Sequence, residues 1–170
     1  VFSGKGLGSG FPVMVLGGKH EIMTQPPFGS AGGASTSFGG NPLAIAAALA
    51  TLQVIEEEKI LSHVGEMGMM LAERFAVLKD KHPLVGDVRG MGLLWGIELV
   101  KDRKTKEPAN DEGRELYLEC LRNGLKTITP GFLSRFSPPL NIPKNELEMA
   151  VDIYDAALTK VEQKFGIKKS

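Results

Sequence analysis

Ser3-Gly4-Lys5-Gly6-Leu7-Gly8-Ser9-Gly10-Phe11-Pro12 sets a single lysine among glycines, where no side chain crowds its amine. Further along, Ser35-Thr36-Ser37-Phe38-Gly39-Gly40-Asn41-Pro42 gathers hydroxyls and a flexible Gly-Gly pair ahead of a helix start. Asn41 suits an N-cap and Pro42 the first helical position. The Ala- and Leu-rich run 43–52 favours helix. Free N–H groups of its first turn are expected to point back toward Thr36, Ser37, Gly39 and Gly40, and the helix dipole favours an anion there.

A lysine becomes a useful nucleophile when desolvation or a neighbouring cation lowers its pKa. Flanking glycines let a planar carbonyl compound approach both side chain and backbone. Two phosphate-loop patterns fail on inspection. Walker A needs Ser or Thr after Gly-Lys, but Gly6 follows Lys5. The G-x-G-x-x-G fingerprint fails from Gly4, where Ser9 takes the sixth place, and from Gly6, where Phe11 does. A presented amine together with a hydroxyl-bearing phosphate site is what pyridoxal phosphate requires.

Together the two segments resemble the class III (subgroup II) pyridoxal-phosphate-dependent aminotransferases, the family of the ornithine, acetylornithine and 4-aminobutyrate aminotransferases. Val85-Gly86-Asp87-Val88-Arg89-Gly90-Met91-Gly92-Leu93-Leu94-Trp95-Gly96-Ile97-Glu98-Leu99 is similar to that family's small-domain signature. Arg135-Phe136-Ser137-Pro138-Pro139-Leu140 is similar to its Arg-x-x-Pro-Pro-Leu strand. The resemblance implies an α/β chain, the C-terminal part of the PLP-dependent transferase fold type I. Residues 1–80 would end the large cofactor-binding domain, and residues 81–170 would form the small domain. It implies that Lys5 forms the Schiff base. Ser37, with Thr36 as the neighbouring alternative and Phe38 beside it, would contact the cofactor phosphate across a homodimer interface.

Arg135 would meet a substrate carboxylate, the competing role being an internal ion pair. A planar guanidinium suits the first role because it holds a carboxylate through two parallel hydrogen bonds. The implied reaction moves an amino group from an amino acid or amine to a 2-oxo acid, often pyruvate or 2-oxoglutarate in that family. Racemases and epimerases share these motifs and form the alternative chemistry. The family is more than twice this length, and its missing part holds the aspartate for the pyridine nitrogen and the stacking aromatic. A chain cut within a sheet is expected to expose strand edges and apolar faces, so a catalytically silent folding or dimerisation module is a further alternative.

Composition agrees with a globular piece. Hydrophobic residues make up 42% and charged residues 24%, and 20 basic residues balance 20 acidic ones. No basic excess draws nucleic acid or anionic membrane, and no apolar run is long enough to span a bilayer. The single Cys120 excludes an internal disulfide and fits a reducing cytoplasm. Cys120 is expected in a core.

Hydrophobic periodicity predicts a buried strand at 11–16, a helical turn at 19–23, and a loop at 26–40. Helices are predicted at 41–55 and 60–81. The apolar face of the second carries Leu61, Val64, Met67, Met70, Leu71, Phe75 and Leu78, and Pro83 ends it. Strands at 85–88 and 93–100 are separated by Arg89-Gly90-Met91-Gly92. A charged turn covers 101–110, and a helix over 112–123 stops at Gly124. Short strands at 126–129 and 132–136, a closing helix over 147–165 and a frayed tail at 166–170 complete the reading. His20, His63 and His82 share no ligand spacing and have no evident carboxylate cluster, so no metal site is expected. Arg89 reads first as a structural salt bridge.

Overall fold

The computed structural model describes residues 1–128 and 131–168. The chain divides into two compact units, Val1–Ile60 and Leu61–Ser170. This division precedes the 80/81 domain boundary expected from the sequence, because the long helix that begins at Ile60 buries its apolar face in the second unit.

In the first unit, β1 (Phe2–Gly4) pairs antiparallel with β2 (Met14–Leu16), in the register Phe2↔Leu16, Ser3↔Val15 and Gly4↔Met14. A 3-10 turn, Lys5–Gly8, follows β1 directly. A Cβ at Gly8 would lie 2.6 Å from Val13 Cγ1, so any larger residue there would have to displace the Val13 side chain. A short helix α1 (His20–Met23) and a chain of turns lead to α2 (Pro42–Glu57). The buried strand expected at 11–16 is corrected. Only Met14–Leu16 is strand, and Phe11, Met14 and Val15 are exposed. A lone two-stranded ribbon has no layer to cover its faces, so an apolar sequence there does not produce burial. The apolar helix α2 likewise buries Ala44 and Ala48 but leaves Leu43, Leu49 and Leu52 exposed.

The second unit holds a three-stranded antiparallel sheet, β3 (Val85–Met91), β4 (Leu94–Leu99) and β5 (Leu133–Phe136), in that order. Its helices are α3 (Ile60–Lys81), α4 (Asn110–Arg122) and α5 (Lys144–Phe165). Period-two alternation in β4 and β5 sends Trp95, Ile97, Leu99, Ser134 and Phe136 inward. The four apolar ones join Leu71, Phe75 and Leu78 of α3, Leu116 and Cys120 of α4, and Val151, Tyr154 and Leu158 of α5 in one core. Burial in that core pushes the Cys120 thiol up to about 12, so it is inert at neutral pH.

The predicted bounds of α3 agree with the structure, but Leu61 does not belong to its buried face; it is 74% exposed. The expected break at Arg89–Gly92 is also corrected. Arg89, Gly90 and Met91 continue β3, and the chain reverses at Gly92 and Leu93. Gly92 takes φ +54°, and Gly68 of α3 packs so closely on it that a Cβ at Gly68 would lie 2.6 Å from the Gly92 Cα. Helix backbone thus rests on turn backbone, which explains a reversal that apolar patterning alone did not reveal. Gly124, at φ +86°, stops α4 as expected. Within the predicted strand 126–129, Ile128 forms an isolated bridge to Arg135, and Thr129 lies outside the described residues. The predicted tail begins with Gly166 in left-handed conformation capping α5, while Lys169 and Ser170 lie outside the described residues.

Candidate active site

Lys5 opens the 3-10 turn with φ +51°, a left-handed conformation that costs a non-glycine residue roughly 1 kcal/mol or more. Its side chain is exposed, and among the described residues its amine makes no hydrogen bond or ion pair. Strain of this kind persists only where surrounding structure holds it. Here Ser9 N–H donates to the Gly6 carbonyl (3.1 Å) and Phe11 N–H to that of Gly8 (2.9 Å), fixing the turn. The turn packs against α2, so the structure brings the lysine-bearing segment and the helix that follows the hydroxyl run together within one unit.

Asn41 caps α2 and Pro42 sits in its first turn, as the sequence predicts. The cap changes what that helix end can offer. Asn41 Oδ1 accepts from Leu43 N–H (2.9 Å) and Ala44 N–H (3.4 Å), Pro42 has no N–H, and Ile45 N–H donates to the Asn41 carbonyl (3.0 Å). The expected free first-turn N–H groups are therefore already taken. What remains free lies one step upstream. Among the described residues, the N–H groups of Thr36, Ser37, Phe38 and Gly40 and the hydroxyls of Thr36 and Ser37 make no hydrogen bond. The turn itself is closed by Gly39 N–H donating to the Thr36 carbonyl (3.0 Å) and Asn41 N–H to that of Phe38 (3.2 Å). A groove of about 880 Å³ beside it is lined by Thr36, Phe38, Gly39, Gly40 and Asn41, together with Pro12 to Leu16. Phe38 is 80% exposed.

These residues fit both ends of pyridoxal phosphate. A primary amine with no competing partner suits its aldehyde, and two hydroxyls with uncommitted amides suit its phosphate.

In the second unit, the register Arg89↔Gly96↔Arg135 sets two arginines either side of a glycine across the three strands. Arg89 is engaged, with Asp87 and Glu98 each 2.8 Å away, so its structural salt bridge is present. Lys79 and Arg89 beside Asp87 hold its carboxyl down at about 2. Arg135 meets no carboxylate among the described residues, whereas Arg74 and Arg122 both do. Arg114, on the exposed face of α4, is likewise unpaired among the described residues. Arg135 differs in lining a groove of about 630 Å³ with Met91, Leu94, Trp95 and Leu133. The Arg135 head thus shares the outer sheet face with Met91, Leu94 and Leu133. Alternation puts Arg135 there, since Ser134 and Phe136 on either side turn inward.

Sequence reasoning missed one cluster. His82 was expected to have no carboxylate company, yet Glu162 and Asp155 contact its two ring nitrogens. They lie far along the chain, and only their seven-residue separation, which places both on one face of α5, hinted at a shared task. Among the described residues no group of three or more His, Cys, Asp or Glu side chains is arranged to hold a metal ion. No helix among them is long and apolar enough to cross a membrane.

The lysine turn, the hydroxyl turn and the small antiparallel sheet define a class: the sequence model for class-III aminotransferases matches residues 1–158, and the chain belongs to that family. Among its relatives, it is 41% identical over 160 residues to isoleucine 2-epimerase of Lentilactobacillus buchneri, covering 94% of this chain and 35% of that protein. It is 38% identical over 166 residues to (R)-1-hydroxy-2-aminoethylphosphonate ammonia-lyase of Vibrio splendidus, covering 95% of this chain and 34% of that one. Among solved structures, the omega transaminase from Pseudomonas jessenii in complex with PMP matches with a TM-score of 0.75 at 34% identity. That match covers 81% of this chain and 31% of the transaminase. The α/β architecture is therefore that of the PLP-dependent transferase fold type I. The chain spans about a third of the length of the curated relatives it matches.

Proposed function

We propose that the chain is part of a pyridoxal-phosphate-dependent aminotransferase that moves an amino group from an amino acid or amine to a 2-oxo acid. The observation that carries this reading is the Lys5 amine, unengaged and set on a left-handed turn inside the family match. Pyridoxal phosphate bound there would supply the electron sink that makes bonds at the substrate Cα breakable. Lys5 Nζ would anchor the cofactor, and as a free amine it would accept the proton leaving Cα and return one later. Thr36 and Ser37 hold the phosphate through their hydroxyls and free amides, with Phe38 beside them.

By family resemblance that hydroxyl serves the cofactor of a second subunit, so this reading takes a homodimer as the active form. Residues 1–80 then end the large domain and residues 81–170 form the small one. The inert, lone Cys120 supports a cytoplasmic setting.

Arg135 receives the substrate carboxylate, a role supported by its lack of an internal partner among the described residues. Arg135→Lys keeps the charge and loses the two-pronged geometry. In the full-length gene product it is expected to raise KM for carboxylate-bearing substrates by about 10–100-fold, roughly 1.4–3 kcal/mol. A donor amine without a carboxylate would change little. Equal losses for both kinds of donor would remove Arg135 from this role.

The identity to isoleucine 2-epimerase favours a second reading, in which the proton returns to the opposite face of Cα and no amino group leaves. Incubating the full-length gene product with an amino acid and a 2-oxo acid separates the two. Accumulation of the donor's keto acid means transamination, and stereochemical scrambling without it means epimerisation.

The cofactor assignment is tested by incubating the chain with pyridoxal phosphate, reducing with borohydride, digesting, and locating the pyridoxyl group by mass spectrometry. Selective labelling of Lys5 over the other lysines is the expected result. Uniform labelling would mean that this chain alone does not assemble the site and would move the same test to the full-length product. If Lys5 stays unlabelled there while other lysines react, the assignment is wrong.

A further inference from the structure

We infer that His82 is a pH-sensitive clasp in the second unit: its imidazolium, gripped between Asp155 and Glu162, ties the C-terminal end of α3 to α5 and releases when the ring loses a proton. His82 directly follows α3, and its ring is 2% exposed. Nδ1 lies 2.8 Å from Glu162 Oε2, and Nε2 lies 2.5 Å from Asp155 Oδ1. Ionised carboxylates only accept hydrogen bonds, so both ring nitrogens must donate, and imidazolium is the one form of the ring that does so. A neutral ring would turn a lone pair toward one carboxylate while buried beside it, an arrangement that costs free energy twice, through repulsion and through a lost hydrogen bond. The end of α3 also favours positive charge through the helix dipole.

The surrounding charges are accounted for element by element. From α3, Lys81 Nζ contacts both Asp155 oxygens at 2.7 Å. From α5 come Asp155 and Glu162 themselves, and the second Glu162 oxygen accepts from Leu84 N–H at 3.1 Å. From the turn after β4, the Arg103 guanidinium donates to the His82 carbonyl (2.9 Å), to that of Val85 (3.1 Å) and to that of Lys79. Arg103 is thus spent on carbonyls and Lys81 on Asp155. Two anions face the ring with one competing ammonium, and each lies at hydrogen-bonding distance from a different ring nitrogen.

Burial acts to lower the pKa of His82, but the hydrogen bonds and charges of Glu162 and Asp155 outweigh it, and the net shift is upward. Burial acts to raise Asp155, but Lys81 and His82 outweigh it, and the net shift is downward. A group with a raised folded pKa stabilises fully below its unfolded value, about 6.5 for histidine, and loses that contribution as pH rises through the folded value. A lowered carboxyl contributes above its unfolded value and loses that contribution as pH falls. The clasp is therefore strongest on the mildly acidic side of neutrality and weakens on both flanks.

Two measurements on the 170-residue chain test this. Urea unfolding, followed by fluorescence of the single Trp95, is compared for wild type and His82→Gln from pH 5.5 to 9.5. The gap between the two midpoints is expected to be widest near pH 6 and to narrow as pH rises. Midpoints that stay parallel across the range would overturn the clasp. If His82→Gln does not fold, imidazole ¹⁵N spectra of the wild type decide alone. Both ring nitrogens protonated at pH 7 is the expected result, with a titration midpoint that moves down in Glu162→Gln. A single protonated nitrogen at pH 6 would overturn the proposal.

Discussion

Lys5→Ala, introduced into the full-length gene product, is expected to lower kcat by at least 10³-fold while leaving the protein folded. In the proposed role, removing the amine would take away both the covalent anchor and the group that accepts the Cα proton, and a positioned acid–base group alone contributes about 10²–10⁴-fold. Folding is expected to survive because alanine bears the same left-handed cost at φ +51° as lysine does, and the exposed amine makes no hydrogen bond or ion pair among the described residues whose loss could unfold the turn. Lys5→Arg should fail as badly. Guanidinium stays protonated at any working pH, so it can neither condense with an aldehyde nor take a proton. The measurement is steady-state turnover with a matched amino donor and 2-oxo acid, beside a circular dichroism spectrum to establish folding. A folded Lys5→Ala protein within tenfold of wild-type kcat would place the chemistry on another residue. Soluble primary amine, added at high concentration, should restore part of the rate to Lys5→Ala and none to a variant disabled by misfolding.

The elements legible in the sequence are those whose physics is local. α3 carries its own signal, three- and four-residue apolar spacing closed by Pro83, and its bounds emerge as predicted. Asn41 and Pro42 announce the start of α2 because capping is settled within a few residues. The misread features depend on partners distant in sequence. Whether 11–16 is buried depends on what covers the ribbon, and its own residues cannot reveal that. The end of β3 is set by Gly68 pressing on Gly92, two residues on different elements. Local capping rules announce Asn41 as the cap but not its consequence: a side chain that caps two N–H groups withdraws them from any anion, so among the described residues the nearby N–H groups left free are those of Thr36, Ser37, Phe38 and Gly40. His82 looks isolated in the sequence because its carboxylates sit on α5. At the candidate site, Lys5 was legible from its glycines and from the family motif. Its left-handed backbone was not, since such a conformation is imposed from outside the residue.

Phe75→Ala should destabilise the second unit by about 3–5 kcal/mol, the range for truncating a fully buried aromatic. Phe75 is completely buried. Its ring packs edge-on against Trp95 of β4 (centroids 5.5 Å apart, 71°) and Phe136 of β5 (5.1 Å, 70°), and Phe136 continues to Tyr154 of α5 (5.1 Å, 83°). Each such pair is worth about 0.5–1.5 kcal/mol beyond its buried area. One substitution thus weakens the contact of α3 with two strands and leaves a void that rigid neighbours fill poorly. Against a total stability of about 5–15 kcal/mol, the loss is a large fraction of the whole. Urea unfolding followed through Trp95 reads it directly, because the single tryptophan touches the deleted ring. Leu61→Ala on the same helix is the control. Leu61 is 74% exposed, and the change should stay within about 0.5 kcal/mol. Equal midpoints for the two variants would mean that the aromatic chain does not hold this unit together. The consequence reaches the site by a short route. Phe136 is held inward by Phe75, and strand alternation then fixes its neighbour Arg135 on the outer face. A cavity at Phe75 removes one of the two ring contacts that hold Phe136 inward, so Arg135 should lose its fixed orientation at lower urea than in the wild type.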